Sequence, residues 1–281
     1  MSAAAKLAGF AAGLAILFGG AALAGGAVGP LHEKDAAKPE GMTAMEGGHG
    51  EQAAQPVRGL AVSEGGLTLQ LARTTARQGE RFGLAFRIVD RNGGTVSDFD
   101  VEHTKRMHLI VVRRDMTGFQ HLHPTMNADG EWTVRATLRD AGAYRVFADF
   151  SVAGKPHTLA GDLTVDGTVR SHALPRPAGS VEVDGLRVGL TEGASRAGAE
   201  SELGFTVTRG GKPVQVQEYL GARGHLVALR QGDLAFLHVH PDEDRLRFMA
   251  TFPTAGTYRL FLQFKTDGRV HTATFTQEVS R

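Results

Sequence analysis

The strongest constraint on this chain is that it repeats itself. "MHLIVVRRDMTGFQHLHP" from Met107 returns as "GHLVALRQGDLAFLHVHP" from Gly224, and "AGAYRVFADF" from Ala141 returns as "AGTYRLFLQF" from Ala255. Ahead of both stands a third pair, "GLTLQLARTTARQGERFGLAFRIVD" from Gly66 and "GLRVGLTEGASRAGAESELGFTVTR" from Gly185. The blocks keep one order in both halves, so whatever one half folds into, the other must too. Each half must close its own core within about 100 residues, a length at which burial suffices. The repeat sets domains at 58–167 and 181–281, joined by a Pro- and Gly-containing linker at 168–180.

Each copy reads as strands. "LTLQLA", "RFGLAFRIVD", "HLIVVRR", "EWTVRATL", "YRVFADF" and "HTLAGDLTV" are short, rich in β-branched or aromatic residues and partly alternating. Turns such as "RNGG" and "RDMTG" separate them. The expectation is all-β: two tandem antiparallel β-sandwiches, Ig-like or cupredoxin-like, after an N-terminal hydrophobic helix. "LRDAGAYRV" and "FPTAGTYRL" match the corner at which a tyrosine just inside a strand anchors the preceding turn, which puts Tyr144 and Tyr258 in that role.

Residues 1–30 form the targeting signal. Lys6 and the amino terminus precede a run uncharged from Leu7 to His32, long enough for a bilayer span of about 20 residues. "ALA" at 22–24 also offers a signal-peptidase pattern. The segment is a membrane anchor or a cleaved signal peptide, and either exports the rest of the chain. Residues 31–57 are polar, with Gly and Pro, and read as a flexible linker. The expected location is the cell membrane, single-pass with extracytoplasmic domains, or secreted after cleavage.

Composition closes several routes. A net charge of +1 with scattered Lys and Arg gives no surface for nucleic acid. The absence of cysteine excludes disulfides, thiolate zinc sites, iron–sulfur clusters and type 1 copper. No Gly-x-Ser-x-Gly, His-Glu-x-x-His or phosphate-cradling loop is present, so no enzyme is expected.

Histidines carry the remaining chemistry. His121 follows His108 by 13 residues, and His238 follows His225 by 13. His121 and His123 flank one residue and precede Pro124; His238 and His240 do the same before Pro241. His157 and His271 each lie 13 residues after their corner tyrosine. Residues i and i+2 of a strand share a face, so His121 and His123 project together. A hairpin turning near "RDMTG" would put His108 at the same end. Imidazole suits copper(II) and zinc, and thioether sulfur would draw copper(I). Met107, Met116 and Met126, with the additional His103, make the first copy the softer of the two. The candidate metal ligands are His108, His121, His123, His157 and Met107, with His225, His238, His240 and His271 in the second copy.

At "MHLIVVRRDMTGFQHLHP" and "GTYRLFLQF" the chain resembles exported, membrane-anchored bacterial proteins of duplicated Ig-like or cupredoxin-like form, of the heavy-metal, especially copper, homeostasis type. The resemblance spans about 58–281 and implies sequestration or delivery of copper, with zinc as the alternative. A membrane metal transporter or other membrane protein would be the partner. The competing expectation is a non-catalytic Ig-like interaction module whose histidines only brace the hairpin.

Overall fold

The computed structural model describes residues 57–281 apart from 192–194, 238 and 243, and the backbone alone of Phe82 and His240. The expected N-terminal helix and most of the first linker fall outside these residues. Among the described residues there is no helix, and hence none long and apolar enough to cross a membrane.

The first copy supplies β1 (Ser63–Glu64), β2 (Leu67–Leu71), β3 (Thr75–Arg77), β4 (Arg81–Val89) and β5 (His108–Arg113). It continues with β6 (Gln120–Leu122), β7 (Thr125–Met126), β8 (Trp132–Thr137), β9 (Gly142–Val152) and β10 (Lys155–Asp166). They form two sheets, ordered β1-β2-β4-β8-β7 and β3-β10-β9-β5-β6. Pairing is antiparallel except where β3 runs parallel to β10. One sheet with the first, second, fifth and fourth main strands, opposed by the third, sixth and seventh, is the immunoglobulin-like order.

The second copy repeats it with β11 (Ser180–Val183), β12 (Leu186–Thr191), β13 (Glu200–Arg209), β14 (Lys212–Pro213) and β15 (Gly224–Arg230). Then come β16 (Phe236–Leu237), β17 (His240–Pro241), β18 (Arg247–Thr251), β19 (Gly256–Thr266) and β20 (Arg269–Val279). Its sheets run β11-β12-β13-β18-β17 and β16-β15-β19-β20. Both corners close as their tyrosines require: Tyr144 Oη donates to the Asp140 carbonyl at 2.8 Å and Tyr258 Oη to that of Thr254 at 2.9 Å.

Each sandwich has its own core, one around Trp132, Phe86 and Leu109 and the other around Phe248, Phe275 and Leu260. A third apolar cluster joins them. Ile110, Val112 and Phe147 from β5 and β9 meet Val227, Leu229 and Phe261 from β15 and β19. The two sandwiches thus pack face to face through their β9-β5 and β19-β15 sheets. This is why β5 is buried along its whole length: one face lines its own core and the other the neighbouring domain. The outer strand β8 alternates instead.

The packing is nearly symmetric. Phe119 stacks on Phe261 at 4.2 Å between ring centroids, and the equivalent pair, Phe236 and Phe147, meets at 5.5 Å. Reciprocal pairs of this kind define a two-fold arrangement. Equivalent residues that touch each other lie on its axis, as Thr104 and Gly221 do: a Cβ on Gly221 would sit 3.7 Å from Thr104 Cγ2. The linker is docked on the first domain. Buried Arg113 pairs with Asp115 and donates to the Arg170 carbonyl at 2.8 Å, and the His172 amide donates to Asp115 Oδ2 at 3.0 Å.

Candidate metal centre

The "RDMTG" hairpin forms as its turn residues predict, with Leu109 opposite Leu122 and Ile110 opposite His121. Met116 takes a positive φ of 64° and Gly118 one of 64° in that turn, tightening it. The register sets His108, Ile110 and His121 on the face away from the first core. His123 lies two residues on, and its ring centroid is 4.7 Å from that of His121. The centroids of His121 and His123 lie 5.3 and 5.2 Å from that of His108. One ring nitrogen from each of the three lies within 4.8 Å of the others.

Both neighbours of this triad orient it. His108 donates Nε2–H to the Glu102 carbonyl at 3.2 Å, because a carbonyl can only accept, and its Nδ1 is left as a lone pair. Gln263 of the second sandwich donates its Nε2 to Thr272 Oγ1 at 3.3 Å, which turns its Oε1 towards His121 Nδ1 at 2.8 Å. His121 therefore donates from Nδ1 and carries its lone pair on Nε2. These two lone-pair nitrogens face each other at 3.0 Å. His123 Nε2 is buried with no hydrogen-bond partner among the described residues.

Burial keeps the rings neutral. It drives His121 well below the ordinary histidine value, helped by the charges of His108 and His123. Burial, then His108 and Lys105, push His123 down to about 4. His108 is lowered chiefly by burial, against the Glu102 hydrogen bond and the charge of Asp149. Neutral imidazole is the form that ligates a metal.

The second sandwich reaches the same place. His225, equivalent to His108, donates Nε2–H to the Tyr219 carbonyl at 3.0 Å, and burial pushes it down to about 4. Its ring lies 6.3 Å from that of His108 and 6.1 Å from that of His121. His103, with a left-handed φ of 46°, approaches His225 at 5.2 Å. A cavity of about 60 Å³ between the domains is walled by His103, His108, His121, Asp149 and His225 on its polar side.

The other expected ligands do not come here. His157 lies opposite Phe150, one residue out of phase with Asp149 and His108, so it points to the other face of the sheet and stacks on Phe150 at 5.5 Å. His271 is likewise out of phase with His225, and hydrogen-bonds Asp184 at 2.7 Å and Thr266 at 3.1 Å. Met107 immediately precedes His108, so the alternation that turns His108 outward buries Met107 in the first core. Met116 and Met126 pack in the interdomain and first-domain clusters. The thioethers expected to soften the site are spent on cores. His238 lies outside the described residues, as does the side chain of His240.

Sequence reasoning missed Gln263 and Glu102. Gln263 stands where the first copy has Asp149, a difference visible on aligning "FADF" with "FLQF", but its importance needs the register that sets it beside a histidine of the other domain.

Fold and site together define a tandem Ig-like β-sandwich protein with a histidine cluster between its domains. Both halves match one family, described as Domain of unknown function (DUF8832), over residues 61–167 and 181–281, and the chain belongs to that family. No curated protein matches it. Among solved structures it is similar to the Escherichia coli adhesin FdeC, at 16% identity and a TM-score of 0.28, over 79% of this chain and 66% of that one. It is similar also to a mutant Salmonella alpha-2-macroglobulin, at 14% identity and a TM-score of 0.29, over 82% of this chain and 16% of that one. Likenesses of this depth carry no bearing on function.

Proposed function

We propose that this is an extracytoplasmic metal-binding protein that holds one transition-metal ion on His108, His121 and His123, for sequestration or delivery. The observation that carries the reading is the facing pair of lone-pair nitrogens, His108 Nδ1 and His121 Nε2, at 3.0 Å. Turning either proton inward would strip a donor from the Glu102 carbonyl or the Gln263 amide. A cation between the rings satisfies all four groups. Two nitrogens on a tetrahedral ion with bonds of 2.0–2.1 Å are about 3.3 Å apart, close to what the rings already show. The unpartnered Nε2 of His123 adds a third donor.

An all-imidazole set without sulfur favours copper(II) or zinc(II) over copper(I). Copper remains the first choice on the resemblance of the duplicated His-x-His-Pro blocks, with zinc the alternative. The N-terminal apolar run supports export and anchoring in the cell membrane, with a membrane metal transporter as the partner for delivery. No catalytic role is proposed. The reading of the histidines as structural braces has support at His157 and His271, each tied to its own domain.

The test is thermal unfolding of the metal-free full chain with copper(II) or zinc(II) added. An ion that binds the native state raises the melting temperature by mass action. The rise should vanish in the His121→Ala, His123→Ala double variant. No rise with either metal, in a chain that unfolds cooperatively, would make the cluster structural.

A further inference from the structure

We infer that the metal centre is shared between the two sandwiches, with His225 of the second copy as fourth ligand, so that the bound ion clamps one domain to the other. The inference rests on the triad reading above and concerns what completes it.

Three imidazoles leave one position of a four-coordinate ion open. His225 lines the same cavity as His108 and His121 from across the interface, with its ring 6.3 and 6.1 Å from theirs. It is oriented as His108 is, each giving Nε2–H to the carbonyl six residues earlier, which leaves Nδ1 of His225 as the donor atom. The two rings are tilted by only 31° to each other. Those carbonyls come from equivalent turns, bridged Glu102 to Lys105 and Tyr219 to Ala222, that abut on the two-fold axis through Thr104 and Gly221. The near-symmetry that brings equivalent residues face to face therefore brings His225 to the triad.

Ring centroids of imidazoles sharing a tetrahedral ion should lie about 5 Å apart, given bonds of 2.0–2.1 Å. Within the triad they lie 4.7 to 5.3 Å apart, and His225 stands back at 6.1 and 6.3 Å. An ion would have to draw His225 inward by about 1 Å to reach that geometry. Since β15 carries both His225 and the interface residues Val227 and Leu229, that movement tightens the contact between domains. By linkage, opening the interface must loosen the ion to the same degree, which gives a route for release. Gln263, holding His121 from β19, ties the triad to the second sandwich as well.

The experiment is a zinc(II) titration of the full chain and its variants against a competing chelator, with hydrogen exchange read at the Phe236 amide. That amide donates to the Arg58 carbonyl of the first domain at 2.9 Å, so it reports the interface itself. In the unsubstituted chain zinc should slow its exchange. In His225→Ala, affinity should fall at least roughly tenfold and the slowing should be lost. His225→Gln, which keeps a donor for the Tyr219 carbonyl, should behave the same and guards against a folding defect in the alanine variant. If both variants bind as tightly as the unsubstituted chain and slow the exchange equally, the shared site is refuted while the triad stands. Loss in His103→Ala but not in either His225 variant would give the fourth position to His103 and overturn the inference. If the unsubstituted chain binds no zinc(II) or copper(II), the triad reading fails and this inference with it.

Discussion

Phe119 of the first sandwich lies nearly parallel to Phe261 of the second, with ring planes 7° apart and centroids at 4.2 Å. Among the described residues no other ring pair crossing the interface is so close, and Phe261 is 2% exposed. Removing the Phe261 ring leaves a cavity between the domains rather than inside one. Phe261→Ala should cost about 3–5 kcal/mol, the usual toll for a buried aromatic. Urea denaturation would read it, and a loss below about 1 kcal/mol would mean that the domains do not stay docked in solution.

Gln263 positions His121 without being a ligand itself. Gln263→Leu keeps the shape and removes the acceptor, so zinc affinity should drop by about 10- to 100-fold, as for other partners of metal-bound histidine. Metal-free stability should change far less than metal affinity. Equal losses in both would assign Gln263 to packing.

His157 and His271 separate ligation from bracing. His271 is 5% exposed and bonded to Asp184 and Thr266. His271→Ala should destabilise the second sandwich by about 1–3 kcal/mol, through the partners left unpaired and the lost packing. Metal affinity, measured in the same variant by chelator competition, should stay unchanged. Weakened binding there would put His271 back among the ligands.

Acid should loosen the linker before it unfolds the cores. Burial pushes the Asp115 carboxyl up, but Arg113, the His172 amide and the Thr117 hydroxyl outweigh it and hold it well below its ordinary 3.8. A carboxyl whose folded value is depressed contributes stability that is complete above the unfolded value and lost as pH falls through the folded one. The melting-temperature gap between the native chain and Asp115→Asn should therefore be constant above about pH 5 and shrink below pH 4. A gap that is the same at pH 3 and pH 7 would show that the carboxylate charge contributes nothing.

Tyr144 braces its corner through its hydrogen bond to the Asp140 carbonyl, while Tyr258 meets both the carbonyl and the hydroxyl of Thr254. Tyr144→Phe should lose about 1 kcal/mol with the ring still packed. Calorimetry would detect this, and a neutral substitution would show that packing alone fixes the corner.

Much of this architecture was legible in the residues. The duplicated blocks divided the chain, the short punctuated strands called for sandwiches, and Tyr144 and Tyr258 marked corners that the hydrogen bonds confirm. The i, i+2 spacing of His121 and His123 and the "RDMTG" turn foretold the hairpin geometry. What stayed hidden was long-range. Whether His157 reaches His108 depends on the register of β10 against β9, which is off by one residue for that purpose. Met107 is adjacent to His108 in sequence but not in space, because adjacent strand residues face opposite ways, and that alternation puts it in the first core. The interface itself left a trace: "HLIVVR" and "HLVALR" are apolar without alternation, the mark of strands covered on both faces.

The reciprocal phenylalanine pairs have a consequence for what this chain can encode. In an assembly of two identical subunits, every substitution appears at both ends of the axis, and a residue useful on one side is imposed on the other. Here both partners lie on one polypeptide, so each can change alone. Aspartate at 149 can stay beside His108 while its counterpart at 263 becomes a neutral amide fit to hold His121. The methionines at 107 and 126 need no copies at 224 and 243. Tandem fusion keeps the geometry of a symmetric pair and releases its chemistry from symmetry.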